Sequence, residues 1–115
     1  MAEPNQRGHY RIEYPTPARP SLVTSERTLE VIDCSESGLR YVLPEADSQP
    51  GIGSEVRGVV HFRTGEEVEV EGVISRLYGR SVAVSFSGTQ IPFSTILQEQ
   101  HYLRRHYLLP PREGY

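Results

Sequence analysis

Apolar residues recur at every second position in a series of short stretches along this chain, the spacing of half-buried strands. "SLVTS" and "TLEVID" flank Glu26 and Arg27 as a hairpin, with Leu29 and Val31 on one face. "LRYVL" follows a polar cluster, "DCSESG". Further on, "EVRGVVHF" puts Val56, Gly58, Val60 and Phe62 on one face, and "EEVEVEGVI" sets Val68, Val70 and Ile74 opposite Glu67, Glu69 and Glu71. The "RTGE" between them fits a short hairpin loop with Gly65 at a positive φ. "YGRSVAVSF" completes the series, with Val82, Val84 and Phe86 alternating against Ala83 and Ser85. Short strands with one polar face each predict a mainly β fold, an antiparallel barrel or sandwich that closes to protect its edges.

The period changes at both ends. In "TILQEQHYLRRHYLL", Ile96, Leu97, Leu103, Tyr107 and Leu108 fall near one helical face, Thr95 and Gln98 form a capping box, and Pro110 and Pro111 stop the helix. One C-terminal helix is expected across a mouth of the barrel. The opening "MAEPNQRGHYRIEYPTPARP" has little apolar alternation, and its prolines at positions 4, 15, 17 and 20 deny it regular pairing. Residues 1–14 are therefore expected as a flexible arm, 15–110 as the barrel and helix, and 111–115 as a tail. The turn-rich "PEADSQPGIG" is the longest internal connection.

At 115 residues there is room for one domain, and 37% hydrophobic with 23% charged residues lies within the folded range. Twelve basic against 15 acidic residues leave a net charge of −3, so no global field draws the chain to a polyanion. A single-strand nucleic-acid binder would interleave basic and aromatic residues on one strand face, where "EEVEVEGV" offers acid. The single cysteine forms no internal disulfide, and there is neither an apolar run of membrane-spanning length nor a signal-type N-terminus. A cytoplasmic protein without membrane insertion is expected.

Candidate chemistry is sparse. Alternation turns Cys34 away from Asp33 and Ser35, which makes it a buried filler rather than a nucleophile. His101 and His106 stand five apart, about 140° around a helix, where paired metal ligands want a spacing of four. No metal is assigned. No nucleophile, base and orienting group assemble from these motifs, so no enzyme is expected. The run Arg104, Arg105 and His106 suits the negative pole of a helix dipole, while Tyr102, Tyr107 and Tyr115 offer an aromatic surface to a partner.

Two stretches complement one another. In "RGHYR", the interval of four puts Arg7 and Arg11 on the same side of a strand or a helical turn. Each guanidinium fork can grip a phosphate, pair with the O6 and N7 edge of guanine, or stack on a base. In "DCSESG", Asp33 can accept from the N–H groups on the opposite edge of guanine, and Ser35 can donate or accept. Gly38 permits a positive φ or a close approach of backbone to ligand.

The pattern R-x-x-x-R followed by D-x-S-x-x-G resembles the signature of the PilZ domain family, whose members are receptors for the bacterial second messenger cyclic di-GMP. The resemblance runs from residue 5 to about 108 and takes in "GVISRLYGRSVAVSF", similar to the family's last hairpin. It implies a six-stranded antiparallel β-barrel of split-barrel type with a C-terminal α-helix. It also implies cyclic di-GMP as the ligand with no other cofactor, and a protein partner. Arg7 and Arg11 would contact phosphates and guanine, and Asp33, Ser35 and Gly38 would read guanine. Ser37, where many members have a second glycine, and Arg76 on the last hairpin would add contacts. Gln6 departs from the commonest pattern, since many members carry another arginine there. Two further readings share the fold. One is a PilZ-like adaptor that works through protein contacts without nucleotide, against which stand both intact motifs; the other is a small-barrel nucleic-acid binder.

Overall fold

The computed structural model describes residues 10–45 and 47–107. Its strands are β1 (Ile12–Glu13), β2 (Ser21–Val23), β3 (Thr28–Ser35), β4 (Gly38–Val42), β5 (Glu55–His61), β6 (Glu67–Tyr78) and β7 (Ser81–Phe86), followed by one helix, α1 (Phe93–Tyr107). All pairings are antiparallel. The ladder runs β3-β2-β5-β6-β7-β4 and returns to β3, which closes six strands into the expected barrel, while β1 extends one edge of β3. Among the described residues, closure leaves no long edge open to pairing with another chain.

The alternation seen in the sequence fills the barrel. Leu22, Val31, Val60, Val70, Ile74, Val82 and Val84 are buried, each side chain worth roughly 1.5–3 kcal/mol when taken fully from water. At the β2–β3 turn the Thr24 hydroxyl accepts from the N–H groups of Glu26 and Arg27, both at 3.2 Å. Gly65 has φ 98° in the β5–β6 loop, as that hairpin requires.

The alternation is broken twice. Val31 pairs with Tyr41, but the next aligned pair is Asp33 with Arg40, so Ile32 is the extra residue of a bulge. In β6, Ile74 pairs with Val84 and Arg76 with Ala83, which makes Ser75 a second bulge. An extra residue reverses the face that every later side chain occupies. Without the bulges, Asp33 would follow Val31 and Arg76 would follow Ile74 into the core.

Both ends differ from the sequence-based expectation. Ile12 pairs with Cys34 and Glu13 with Asp33, and Ile12 and Tyr14 are buried. The fold thus takes up the chain inside the segment expected as an arm, because the alternation in "RIEY" falls between Pro4 and Pro15, clear of the prolines that were expected to forbid pairing. The helix starts at Phe93 rather than Thr95; the Pro92 carbonyl accepts from the N–H groups of Thr95 (3.0 Å) and Ile96 (3.2 Å). Thr95 lies within the first turn, buried with its hydroxyl unpartnered, and no capping box with Gln98 forms. The buried stripe is Thr95, Ile96, Glu99 and Leu103, whereas Leu97, expected to face inward, is 40% exposed. Leu108, Pro110 and Pro111 lie outside the described residues.

Ser21 pairs with both Glu30 and His61, so the start of β2, the β5–β6 loop and the C-terminal half of β3 share one end of the barrel. There α1 packs against β1 and β3. The Glu99 carboxylate, fully buried, accepts from the Tyr14 hydroxyl at 2.7 Å and the Thr64 N–H at 2.9 Å. No helix among the described residues is long and apolar enough to cross a membrane.

Candidate functional site

The stretch "DCSESG" is the end of β3, a two-residue turn at Glu36 and Ser37, and the first residue of β4. Ser35 pairs with Gly38 across it. The Ser35 hydroxyl accepts from the Ser37 N–H at 3.3 Å and lies 3.5 Å from the Ser37 hydroxyl. Outside, the Ser37 carbonyl accepts from the Phe86 N–H at 2.9 Å and the Glu36 carbonyl from the Ile91 N–H at 3.1 Å. The turn is therefore clamped to β7 and to the segment leading into α1. Gly38 is needed for packing rather than for a positive φ: a Cβ there would lie 2.5 Å from the Val84 carbonyl oxygen.

The bulges bring chemistry to the outer face. Asp33, Arg40, Ala83 and Arg76 form one cross-strand row over β3, β4, β7 and β6, and Ser35, Gly38 and Ser85 form the next. Arg11, on the segment entering β1, completes the arrangement. Arg11, Asp33, Ser35, Ser37, Gly38 and Arg76, all singled out from the sequence, line one depression of about 590 Å³. Arg7, the remaining predicted contact, lies outside the described residues.

Asp33 is the electrostatic centre. Its side chain is 3% exposed, and one oxygen, Oδ2, accepts from Arg40 Nε at 2.8 Å and Nη2 at 2.6 Å, with Arg11 Nη1 at 3.7 Å. These bonds from Arg40 to Asp33 push the Arg40 pKa above its ordinary value against some desolvation, with the charges of Asp33 and Glu13 adding to the rise. Arg40 was read in the sequence only as a strand position; recognising it needed the β3–β4 register. Tyr78 was missed too. It lines the depression and is 79% exposed, an unusual placement for a large aromatic ring. Its signal was the parity it shares with Arg76 on β6.

Cys34 faces the opposite way and is fully buried. Burial pushes its thiol pKa up to about 12, helped by the charges of Glu99 and Asp33 and opposed by its contact with the Tyr14 hydroxyl at 3.9 Å. A thiol held protonated in this way is a packing residue, as the alternation suggested. Burial and the neighbouring Cys34 and Glu99 likewise raise the Tyr14 pKa, so its hydroxyl stays a donor.

A larger cavity of about 830 Å³ opens at the far end of the barrel, between Leu29, Tyr41, Leu43 and Ile74 and the Arg27–Asp47 ion pair. Among the described residues, none of the ligand contacts predicted from the sequence lines it, and it lacks clustered arginines on an acidic centre. The outer depression is the better candidate site on chemical grounds.

Comparison with known proteins bears on the family and the fold. No curated protein matches this chain in sequence. Among solved structures, the Bacillus subtilis inhibitor of motility MotI/DgrA superposes with a TM-score of 0.64 at 16% identity, over 91% of this chain and 53% of that one. The chain thus spans about half the length of that protein. An uncharacterised Legionella protein superposes with a TM-score of 0.55 at 13% identity, over 85% of this chain and 100% of that one. At such identities the likeness is one of fold. The model of the PilZ domain family, however, matches residues 5–104, taking in both motifs, the barrel and most of α1. With that match over most of its length, the chain belongs to the PilZ domain family, whose members are binding and receptor domains.

Proposed function

We propose that this chain is a cyclic di-GMP receptor that signals to a protein partner through its N-terminal segment. The observation that carries this reading is the gathering of Arg11, Asp33, Ser35, Ser37 and Arg76 around one depression, with two guanidinium groups directed at one carboxylate oxygen. The Watson–Crick edge of guanine offers neighbouring N–H donors, much as a guanidinium fork does. In this reading guanine takes the place of Arg40 on Asp33, and the displaced arginines turn to the phosphates and the O6 and N7 edge. Arg7, on the same side as Arg11 by their spacing, closes over the ligand. Tyr78 offers a ring on which a base stacks.

The magnitudes are in keeping with this role. Several charge-assisted bonds at about 1.5–3 kcal/mol each, less the cost of ordering the residues before β1, leave something near the roughly 8 kcal/mol of micromolar affinity. Ordering that segment changes the surface a partner meets, which converts ligand occupancy into shape. A bacterial second messenger places the receptor in the cytoplasm. The test is a calorimetric titration with cyclic di-GMP, with GTP and cyclic GMP as controls. Micromolar affinity for the dinucleotide alone supports the reading; no heat at concentrations of about 100 μM leaves the non-nucleotide adaptor instead.

A further inference from the structure

The outer surface of α1 is chemically one-sided. Its only carboxylate, Glu99, points inward and is fully buried, while His101, Arg104, Arg105 and His106 are exposed. All of this lies on a chain whose net charge is −3. Between α1 and the β5–β6 loop is a groove of about 570 Å³ lined by Thr64, Leu97, Tyr102 and Arg105, among others. Leu97 is 40% exposed there, and Phe93 nearby is 43% exposed.

The groove has an ordered aromatic floor. The Tyr102 ring lies 4.3 Å from the His106 ring, and the Arg63 guanidinium sits 5.9 Å from the Tyr102 ring centre. An apolar floor of Leu97 and Tyr102 is thus flanked by guanidinium groups from two separate elements, Arg105 from the helix lining the groove and Arg63 from the loop against the Tyr102 ring.

We propose that this groove is a docking site for an acidic segment of a partner protein, one that seats an apolar side chain on Leu97 and Tyr102 and sets carboxylates against Arg63 and Arg105. Charge complementarity selects the occupant. A long polyanion, whether nucleic acid or an anionic membrane surface, would also meet Glu66, Glu67 and Glu69 on the adjoining hairpin, whereas a short acidic segment fits beside the guanidinium groups. The apolar floor gives such a segment an anchor, and the guanidinium groups give it orientation. This goes beyond the nucleotide reading and is tested without nucleotide, so the two fail separately.

The experiment presents a phage-displayed library of random linear peptides to the full chain in the absence of cyclic di-GMP. Recovered peptides are synthesised, and their affinities are measured by fluorescence anisotropy. The expected result is enrichment of Asp and Glu around an apolar residue. Binding should weaken about ten-fold or more in Arg105→Glu and in Arg63→Glu, and should be unchanged in Arg11→Ala. Arg63 lies off the helix, so the two reversals distinguish lost docking from a perturbed helix. The proposal is overturned if the recovered peptides show no acidic enrichment, or if they bind both reversed variants as tightly as the unaltered chain. It is equally overturned if an oligonucleotide or phosphatidylserine vesicles displace them and bind this face more tightly, or if residues after Tyr107 fill the groove and no peptide is recovered.

Discussion

Two carboxylates, Asp33 and Glu99, are held close to the same short segment of chain, and they are held in opposite ways. Asp33 lies on the outer face with arginine partners, Arg11 and Arg40, whose side chains are 54% and 35% exposed. Glu99 lies inside with a buried phenol and a backbone N–H as partners. Arginines at a surface can swing to a ligand phosphate without unfolding anything, whereas a phenol and a main-chain amide have nowhere else to go. The comparison teaches which carboxylate is built to exchange partners and which to fasten the helix. Residues 10–14 connect the two. Tyr10 makes an edge contact with Phe93 at 6.4 Å, Tyr14 reaches Glu99, and Arg11 between them faces Asp33.

The largest effect expected from breaking this contrast is at the fastening. Glu99→Ala leaves the Tyr14 hydroxyl and Thr64 N–H without their acceptor and opens a cavity, and should lower stability by about 3 kcal/mol in urea unfolding. A midpoint unchanged from that of the original chain would mean that α1 is held by its apolar stripe alone. Tyr14→Phe removes only the donor and should cost about 2 kcal/mol in the same measurement. At the exchanging end, Tyr78→Ala should weaken cyclic di-GMP binding by about 1 kcal/mol, the lower range for a base stacked on an aromatic ring, with little change in unfolding. A further effect, confined to alkaline pH, concerns the thiol. The Cys34 pKa is raised from 9.0 to about 12, so the folded chain favours the neutral thiol. Its contribution to stability is whole below pH 9 and is lost as pH climbs toward 12. Correspondingly, an aromatic disulfide reagent at neutral pH should label Cys34 only after denaturation.

The strands and the site motifs were legible because their signals are local. Val82 and Val84 declare a buried face by spacing, and Asp33, Ser35 and Gly38 declare themselves by residue type and interval. The bulges at Ile32 and Ser75 were not legible. Each depends on pairing with a neighbouring strand, and each decides whether a charged residue, Asp33 or Arg76, faces the core or the solvent. Arg40 was hidden for the same reason, since its partnership with Asp33 exists only in the β3–β4 register. Glu99 was legible in principle, three residues after Ile96 and four before Leu103 on the buried stripe. Its charge argued against an inward place, and only the positions of Tyr14 and Thr64 explain how that place is satisfied. The pairing at Ile12 was obscured by reading the prolines more heavily than the apolar residues between Pro4 and Pro15.

In the proposed receptor, Asp33 gives up its arginine partners, Arg40 and Arg11, for guanine, and Arg11 turns to the nucleotide. The most direct test of this exchange is calorimetry with cyclic di-GMP on Arg11→Ala and on Asp33→Ala, beside thermal unfolding of each variant. Affinity is expected to fall by about ten-fold or more in both, about 1.4 kcal/mol or above, while the barrel still unfolds cooperatively. Affinity equal to that of the unaltered chain in both variants would contradict it.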